Sequence, residues 1–338
     1  MAEADLTGRS VRGEWQPESL PKPSPLFTKP LKLRPIFNFF FAHDGLLYPK
    51  NAIYAGLAVV AWLWFTPSFA RTETFAIGWI AELYLRNAAL LIIVAGGLHL
   101  RLYMKRAQGQ RFKYNPRWLT GSNRAFMFGN QTRDNVFWTL ASGCTIWTLY
   151  EAVTLWFYAN EFIFSVSWAR HPVYCVLMMV FILLFRQAHF YWTHRLTHWK
   201  PLYKYAHYLH HKNVNIGPWS GLSMHPIEHV LYLSGVVVHW IIPSHPLHAI
   251  FHLLHAGISP AAGHAGFYKF ELGEKHAMNN GGYFHYLHHR YFDCNYGNEG
   301  VPLDKWFGSF HDGSPEAHKA MRARKRKLGN RGAPVTID

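Results

Sequence analysis

Residues 173–198 read VYCVLMMVFILLFRQAHFYWTHRLTH, an apolar run that passes directly into two histidines with the spacing HxxxH. The apolar part, 173–192, has about the 20 residues that an α-helix needs to cross the hydrocarbon core of a bilayer. Because positions i and i+4 share one face of a helix, a helix continued through this run would present His194 and His198 together. The stretch therefore predicts a membrane helix that carries metal-binding side chains out of one face of the bilayer.

Three other apolar runs approach spanning length, at 50–66, 75–99 and 136–158. Two shorter runs, 229–242 and 247–262, are separated by prolines, which predicts a hairpin that dips into the membrane from one side. The four long runs also contain charged residues, namely Glu82, Arg86, Glu151 and Arg186. Because charge is costly in lipid, we expect these side chains to face the bundle interior or the headgroup edge.

The distribution of basic residues predicts the orientation of the chain. The segment 100–135 is rich in Lys and Arg, whereas 67–74 and 159–172 carry only Arg71 and Arg170. The basic segment is therefore expected in the cytoplasm, together with both termini and the His194 end of the fourth run. The predicted fold is an all-α integral membrane helical bundle, with about four spans, a membrane hairpin and a cytoplasmic histidine-rich helical cap.

Composition supports a membrane protein over a nucleic-acid-binding one. The 338 residues are 17% aromatic, which suits a protein with two membrane interfaces to line. The formal net charge of +15 comes from Lys and Arg that lie mostly between apolar runs and near the C-terminus. This is the pattern of a chain that meets an anionic membrane surface, so we expect no nucleic-acid partner.

The histidines carry the chemical signal. Nineteen of the 23 lie between His194 and His318, and HxxHH occurs at both His207–His211 and His285–His289. On a helix, each such box points two or three imidazoles at one place. The first box is not the zinc-protease motif HExxH, because Arg195 occupies the position of the catalytic Glu.

Eight or more histidines exceed the four ligands of a closed zinc site, so the boxes predict two metal ions. Imidazole suits iron, zinc, copper and nickel alike. A purely structural pair of zinc ions is therefore an alternative to a di-iron site that activates oxygen. We favour the di-iron site, because a structural metal has no need of a position at the membrane face.

Several motifs together resemble the fatty acid hydroxylase/sterol desaturase superfamily of membrane di-iron enzymes. The resemblance covers about 173–311, in a fixed order of elements: FYWTHR at 190–195 with His198, the box His207–His211, MHPIEH at 224–229, GHAG at 263–266, the box His285–His289 followed by NYG at 295–297, and DKWFG at 304–308.

The resemblance implies a set of metal ligands. These are His194, His198, His207, His210, His211, His264, His285, His288 and His289. It also places His225 and Glu228 close to the site, as neighbours of the ligands or as extra ligands. His229, His252 and His255 are further candidates. One position departs from the family pattern: Gln187 stands where relatives commonly carry an acidic residue, which bears on activity.

The resemblance further implies an enzyme that uses two Fe ions, O2 as co-substrate and an external electron donor, with zinc as an alternative occupant after purification. We expect hydroxylation or desaturation of a lipid drawn from the bilayer, and we favour a sterol or related polycyclic lipid. A fatty acyl or sphingoid hydroxylase is the second interpretation, and a non-catalytic metal-binding membrane protein is the third. The expected electron donor is a cytochrome b5 or a ferredoxin. The host membrane is the endoplasmic reticulum in a eukaryote or the inner membrane in a bacterium.

These inferences divide the chain into four parts. They are a polar, proline-rich cytosolic tail at 1–49, an N-terminal transmembrane region at 50–172, a fatty acid hydroxylase/sterol desaturase-like catalytic domain at 173–312, and a basic C-terminal tail at 313–338.

Overall fold

The computed structural model describes residue 9 and residues 13–17, 24–273 and 276–330, with side chains of the last helix described as far as 326. Within these ranges the chain is mostly helical. The strands found there, Lys269–Glu271 and Ala277–Asn279, pair antiparallel. The predicted all-α class is therefore confirmed for the described part of the chain, apart from this short ribbon.

The helices follow one another closely along the chain. The α-helices are Leu33–Phe41, Lys50–Phe65, Phe69–Thr72, Ile77–Leu91, Gly97–His99, Gln131–Trp138, Thr145–Ala159, Pro172–Thr197, Lys200–Leu202, Tyr208–His211, Pro226–Leu233, Val238–Ile241, Pro246–Gly263, Tyr283–Tyr291, Leu303–Trp306 and Pro315–Asn330. Wider π-helical turns continue several of them, at Ile92–Gly96, Leu100–Met104, Thr139–Cys144 and Tyr203–His207. Tight 3₁₀ turns lie at Pro25–Phe27, Met127–Gly129, Pro218–Leu222 and Ser234–Val237.

Two helices are long and apolar enough to cross a membrane. The continuous helix Ile77–Met104 has 28 residues and a mean hydropathy of 1.6, and Pro172–Thr197 has 26 residues and a mean hydropathy of 1.8. Two other predicted spans are helical but less typical of a membrane segment. Lys50–Phe65 has 16 residues, and polar side chains interrupt the apolar run within 131–159.

Arg86 and Glu151 face the interior of the bundle, as predicted for charges within apolar runs. Arg86 Nη2 lies 2.5 Å from a carboxylate oxygen of Glu151, and both side chains are almost fully buried. Asn87 Nδ2 donates to Thr148 Oγ1 and to Glu151 at 3.2 Å. The ion pair thus links two helices of the bundle, and its hydrogen bonds offset part of the cost of burying charge.

The predicted hairpin is helical, with its turn between Pro243 and Pro246. Its second arm, Pro246–Gly263, lies at the centre of the molecule, with 14 of its 18 residues buried. It packs against Lys50–Phe65, Thr145–Ala159 and the long helix Pro172–Thr197. Protein therefore surrounds this arm on most sides. The apolar sequence alone would fit a helix in contact with lipid equally well.

The predicted N-terminal tail is partly packed against the body. Its residues 1–8, 10–12 and 18–23 lie outside the described residues. Trp15 is buried in a cluster with Tyr114 and Tyr286, and Leu33–Phe41 forms a helix. The tail is thus not separate from the body, because one large aromatic side chain finds a pocket there. At the other end, the basic segment forms the helix Pro315–Asn330, while the Lys327 side chain and residues 331–338 lie outside the described residues.

Candidate metal centre

Nine buried or half-buried histidines converge in two adjacent groups. The five-histidine group consists of His194, His198, His207, His211 and His288, and the four-histidine group consists of His210, His264, His285 and His289. Within each group, every residue offers one ligand nitrogen, and these nitrogens all lie within 4.8 Å of one another. The nine residues are the same nine that the motifs single out.

The local sequence explains how four chain segments bring these rings together. The long helix Pro172–Thr197 continues past its apolar part and ends with His198 as its C-cap. The second box lies on the short helical segment 200–211, which begins after Trp199 with Pro201 in its first turn. His264 is the C-cap of Pro246–Gly263, and the third box lies on Tyr283–Tyr291.

Gly282 sets the third box against His264. It has a φ of +81°, a left-handed conformation that glycine adopts without strain. A Cβ atom at this position would lie 2.7 Å from the carbonyl oxygen of Gly263. Only glycine therefore allows the Tyr283–Tyr291 helix to start this close to the end of Pro246–Gly263.

Within each group, the Nε2 atoms lie at the spacing expected around one metal ion. His198, His211 and His288 form a triangle with Nε2–Nε2 distances of 3.0 to 3.2 Å. His264, His285 and His289 form another, with distances of 3.0 to 3.1 Å. Two nitrogens about 2.1 Å from one ion and at a right angle to each other lie about 3.0 Å apart.

The other ring nitrogens show which Nε2 atoms carry lone pairs. Nδ1 of His194, His264 and His288 faces the backbone carbonyl oxygens of Tyr296, Pro260 and Cys294, at 2.6, 3.0 and 2.6 Å. Because a carbonyl accepts only, each of these Nδ1 atoms is a donor, and Nε2 is left as the lone pair in the neutral ring.

His207 is held in the same way by a carboxylate. Its Nδ1 donates to Glu228 Oε1 at 2.7 Å, so its Nε2 also presents a lone pair. These lone pairs lie close to other ring nitrogens, since Nε2 of His207 is 3.0 Å from that of His198 and Nε2 of His264 is 3.0 Å from that of His285. The donor set therefore fits two metal ions, one in each group.

Burial keeps these imidazoles neutral. It lowers the pKa of His207 to about 3 and that of His264 to about 4. It also lowers the pKa values of His211, His288 and His289 well below the ordinary value of a histidine. Neutral imidazole is the form that binds transition metals, so the site is ready to bind them without first releasing protons at neutral pH.

Comparison with known proteins agrees with this geometry. The sequence profile of the fatty acid hydroxylase family matches residues 179–309, which contain both histidine groups. The resemblance to the fatty acid hydroxylase/sterol desaturase superfamily is thus confirmed over these residues.

The similar curated proteins are sterol desaturases by name. A Delta(7)-sterol 5(6)-desaturase of Gibberella zeae is 30% identical over 170 residues, 48% of this chain and 50% of that protein. A Delta(7)-sterol-C5(6)-desaturase of Nicotiana tabacum is 30% identical over 161 residues, 46% of this chain and 56% of that protein. A Delta(7)-sterol 5(6)-desaturase of Aspergillus fumigatus is 25% identical over 317 residues, 81% of this chain and 93% of that protein. The chain thus matches about half the length of the first two relatives. No solved structure matches it significantly.

A cavity of about 310 Å³ adjoins the two histidine groups. Both groups contribute to its wall, through His194 on one side and His210, His264 and His285 on the other. Most of the remaining wall comes from the long helix, the central helix Pro246–Gly263 and the start of Lys50–Phe65. A molecule in the cavity would therefore lie against both histidine groups.

The structure places the other predicted site residues in different roles. Glu228 bonds the ligand-type histidine His207, as a neighbour of the ligands should. His225 is the N-cap of Pro226–Leu233 and accepts from the backbone N–H of Ile227 at 3.2 Å. His229 uses both ring nitrogens, with Ser142 Oγ at 2.9 Å and the carbonyl oxygen of Leu222 at 3.1 Å.

Two further candidates, His252 and His255, also lie outside both groups. His252 Nδ1 is 3.1 Å from His239 Nε2. His255 Nε2 is 2.7 Å from Asn51 Oδ1, and its other nitrogen faces Arg186. His225, His229, His252 and His255 are thus not brought to the metal centre, although their side chains are chemically the same as those of the ligands.

Sequence reasoning missed the groups that hold the histidines in place. Most are backbone carbonyls, which leave no signal in the residue type. Asp304, within the closing motif, accepts from the backbone N–H groups of Tyr296 and Gly297 at 2.9 and 2.8 Å. Asp304 therefore fixes the loop whose carbonyl orients His194. The motif itself, DKWFG, was the only signal of this role.

Proposed function

We propose that this protein is an O2-dependent di-iron membrane oxidoreductase that hydroxylates or desaturates a lipid, with a sterol or related polycyclic lipid as its substrate. The observation that supports this proposal best is the pair of histidine groups at the wall of one cavity. The names of the similar proteins, sterol 5(6)-desaturases from fungi and a plant, supply the substrate class.

The five-histidine group would hold one iron and the four-histidine group the other. When bound, two irons supply the oxidising power toward an unactivated C–H bond that no side chain of the protein possesses. Hydroxylation and desaturation begin with removal of the same hydrogen atom, so both outcomes are included in the proposal.

The residues of the chain orient the ligands and exclude water. Glu228 and the carbonyls of Tyr296, Pro260 and Cys294 fix the tautomers of four ligand-type histidines, namely His207, His194, His264 and His288, and keep the Nε2 of each aimed inward. Phe190 stacks on His194 with a ring-centroid distance of 4.8 Å and also contacts Tyr232 edge to face. These aromatic side chains narrow the space beside the histidines and leave room for an apolar ligand.

The proposed placement in the membrane has about four spans, with the histidine cap on the cytoplasmic side. Ile77–Met104 and Pro172–Thr197 are the strongest spans, and Lys50–Phe65 and 131–159 complete the bundle. The hairpin enters among them, and the basic segment between the second and third spans lies in the cytoplasm. The host membrane is the endoplasmic reticulum or the bacterial inner membrane.

An acidic electron carrier, a cytochrome b5 or a ferredoxin, is the proposed reductant. A surface cleft lined by Arg195, Arg324 and Lys325 lies directly behind the metal centre, with Tyr296 between them. Of the basic residues 195–212, Lys212 is already paired with Asp134 at 2.7 Å. Lys325 is likewise paired with Asp293 at 2.6 Å, so Arg195 is the better-placed cation for an acidic partner.

The test is product analysis with isotopically labelled oxygen. Iron-loaded protein in detergent receives an electron donor, ¹⁸O2 and either a Delta(7)-sterol or a ceramide, beside the variant His210→Ala. The proposal predicts a new double bond or an ¹⁸O-labelled hydroxyl in the sterol, lost in the variant.

Oxidation of the ceramide alone would replace the sterol assignment with a sphingoid or acyl one. Absence of any oxidised lipid and of O2 uptake, in protein shown to contain two irons per chain, would contradict the enzyme assignment.

A further inference from the structure

The cavity beside the metal centre contains two cations, Arg186 and Lys50. Arg186 lies on the long helix, eight residues before His194, which places it about 12 Å from that histidine along the helix. Lys50 begins the Lys50–Phe65 helix. A purely apolar lipid gives no reason for such groups in the wall of its binding site.

Arg186 has only neutral partners among the described residues. Its Nη2 donates to the hydroxyl oxygen of Tyr232 at 3.0 Å, and its Nη1 contacts Nδ1 of His255. No carboxylate of the described chain forms an ion pair with it. These two contacts use two of the five N–H donors of the guanidinium.

The hydrogen bonds around His255 show that this ring is neutral and accepts from Arg186. Asn51 Nδ2 donates to the carbonyl oxygen of Leu46 at 2.6 Å, so Asn51 Oδ1 is the acceptor that faces His255 Nε2 at 2.7 Å. Nε2 therefore carries the proton, and Nδ1 presents its lone pair to Arg186. The network orients the guanidinium without neutralising its charge.

Lys50 adds a second positive charge to the same wall. Its Nζ donates to the backbone carbonyl of Asn280 at 2.8 Å and forms no close ion pair with a carboxylate in the described part of the chain, although Asp44 and Glu299 act on it from further away. The one carboxylate in the cavity wall, Glu228, is already bonded to His207. Gln187, beside Arg186, is neutral where the superfamily pattern carries an acidic residue.

We propose that Arg186 and Lys50 form a binding site for an anionic group, a carboxylate or similar oxyanion, carried by the lipid that is oxidised. This rests on the proposed function and narrows its substrate to an acidic lipid. Guanidinium binds carboxylate with charge-assisted hydrogen bonds, and a low-polarity cavity strengthens them. Arg186 and His194 are about 12 Å apart along the axis of the long helix, and both line the cavity, so a lipid anchored at Arg186 can extend to the histidines.

The test compares acids with their neutral esters. Radiolabelled lithocholate and its methyl ester, and palmitate and methyl palmitate, are titrated against iron-loaded protein in detergent. Each pair shares one carbon skeleton and differs in the charge of the carboxyl group and the ester methyl, so the ratio of the two Kd values, compared between wild type and variants, reports the anion site. The steroid and fatty acid pairs distinguish the two sources of the carboxylate.

We expect wild-type protein to bind one of the two acids about tenfold to a hundredfold tighter than its ester. In Arg186→Gln this preference should fall to about a few-fold, and Arg186→Lys should retain part of it because it keeps the charge. Lys105→Gln, which removes an exposed cation outside the cavity, should behave as wild type. Iron content and thermal midpoint show whether each variant is folded.

Equal binding of acid and ester by the wild type in both pairs would overturn the proposal, and so would a preference that survives in Arg186→Gln. These results are separable from those for the enzyme assignment. Oxidation of a neutral sterol without any preference for acids would remove the anion site and leave the proposed function intact. A preference for acids in a protein that oxidises no lipid would support the anion site and remove the proposed function.

Discussion

At the residue scale, the protein distinguishes two kinds of buried histidine that share the same side chain. The nine histidines of the two groups turn one nitrogen inward and, where they are anchored, bond the other nitrogen to a carbonyl or carboxylate. His229 is as buried as any of them, but both of its nitrogens bond to protein. Whether a buried histidine can bind metal therefore depends on whether one of its ring nitrogens is left without a hydrogen bond to backbone or to a side chain other than histidine. Burial alone does not decide it.

This difference predicts opposite effects of two matched substitutions. His211→Ala should lose about one bound metal per chain, because it removes a member of the tightest triangle in the five-histidine group. His229→Ala should keep both metals and lower the stability by about 1–3 kcal/mol, since it removes the partner of the buried Ser142 hydroxyl and one of the two hydrogen bonds to the carbonyl of Leu222. Elemental analysis and thermal unfolding of both variants check this. Loss of metal from His229→Ala would contradict the assignment of His229 to a structural role.

Lys113 provides a prediction about pH. Its ammonium is fully buried and donates to the carbonyls of Asn115 and Arg117 at 2.6 and 2.7 Å. Burial, with a smaller contribution from Arg9, lowers its pKa from 10.5 to about 7. Between these two values the unfolded chain holds a proton that the folded chain lacks, so this residue makes stability rise with pH from about 7 to 10.5.

The variant Lys113→Met lacks this titration. Its thermal midpoint should therefore rise less than that of the wild type, or fall more, when the pH is raised from 7 to 9. The difference between the two pH dependences is the measured quantity, because other groups titrate equally in both proteins. Parallel curves for the two proteins would show that Lys113 keeps its proton throughout.

At the scale of elements, the central helix Pro246–Gly263 holds the bundle together. Gly257 lies against the ring of Trp147 on the neighbouring helix, where a Cβ atom would lie 2.3 Å from the ring. The ring is flat and fully buried, so it has no space to move into. Close approach of these two helices thus depends on the absence of one methyl group.

Gly257→Ala should therefore destabilise the protein by about 1–3 kcal/mol through overpacking. Gly56→Ala is the matched control, because it lies within a helix and a Cβ atom there would have no neighbour within 4 Å. This control should be neutral or slightly stabilising, since alanine favours helix over glycine. Thermal unfolding in one detergent compares the two. Equal midpoints for both variants would show that the helices separate without cost.

The sequence predicted the elements at the metal centre better than their surroundings. The eight box histidines could be named because box spacing and helix periodicity point in the same direction, whereas His264 could be named only from the resemblance to the superfamily. The apolar runs predicted helices at the correct places, including both arms of the hairpin. The burial of Pro246–Gly263 at the centre of the bundle could not be predicted, since a core helix and a lipid-facing helix are equally apolar. The packing of Trp15 against the body also has no signal in the residues around it.

At the scale of the whole molecule, apolar helices lead to a polar metal centre and a cationic cavity. The long helix connects these features, because its first part is apolar, Arg186 and Gln187 line the cavity, and His194 and His198 end it. The cavity side chains Lys50, Asn51 and Asn280 come from distant parts of the chain. They could not be found from sequence, because only the fold brings them to the histidines.

The central claim is that two metal ions lie side by side, each held by one histidine group. Crystals of the iron-loaded protein, measured at the iron absorption edge, test this most directly. The account predicts two anomalous peaks, one surrounded by His194, His198, His207, His211 and His288, and the other by His210, His264, His285 and His289. A single peak, or peaks away from these imidazoles, would contradict it.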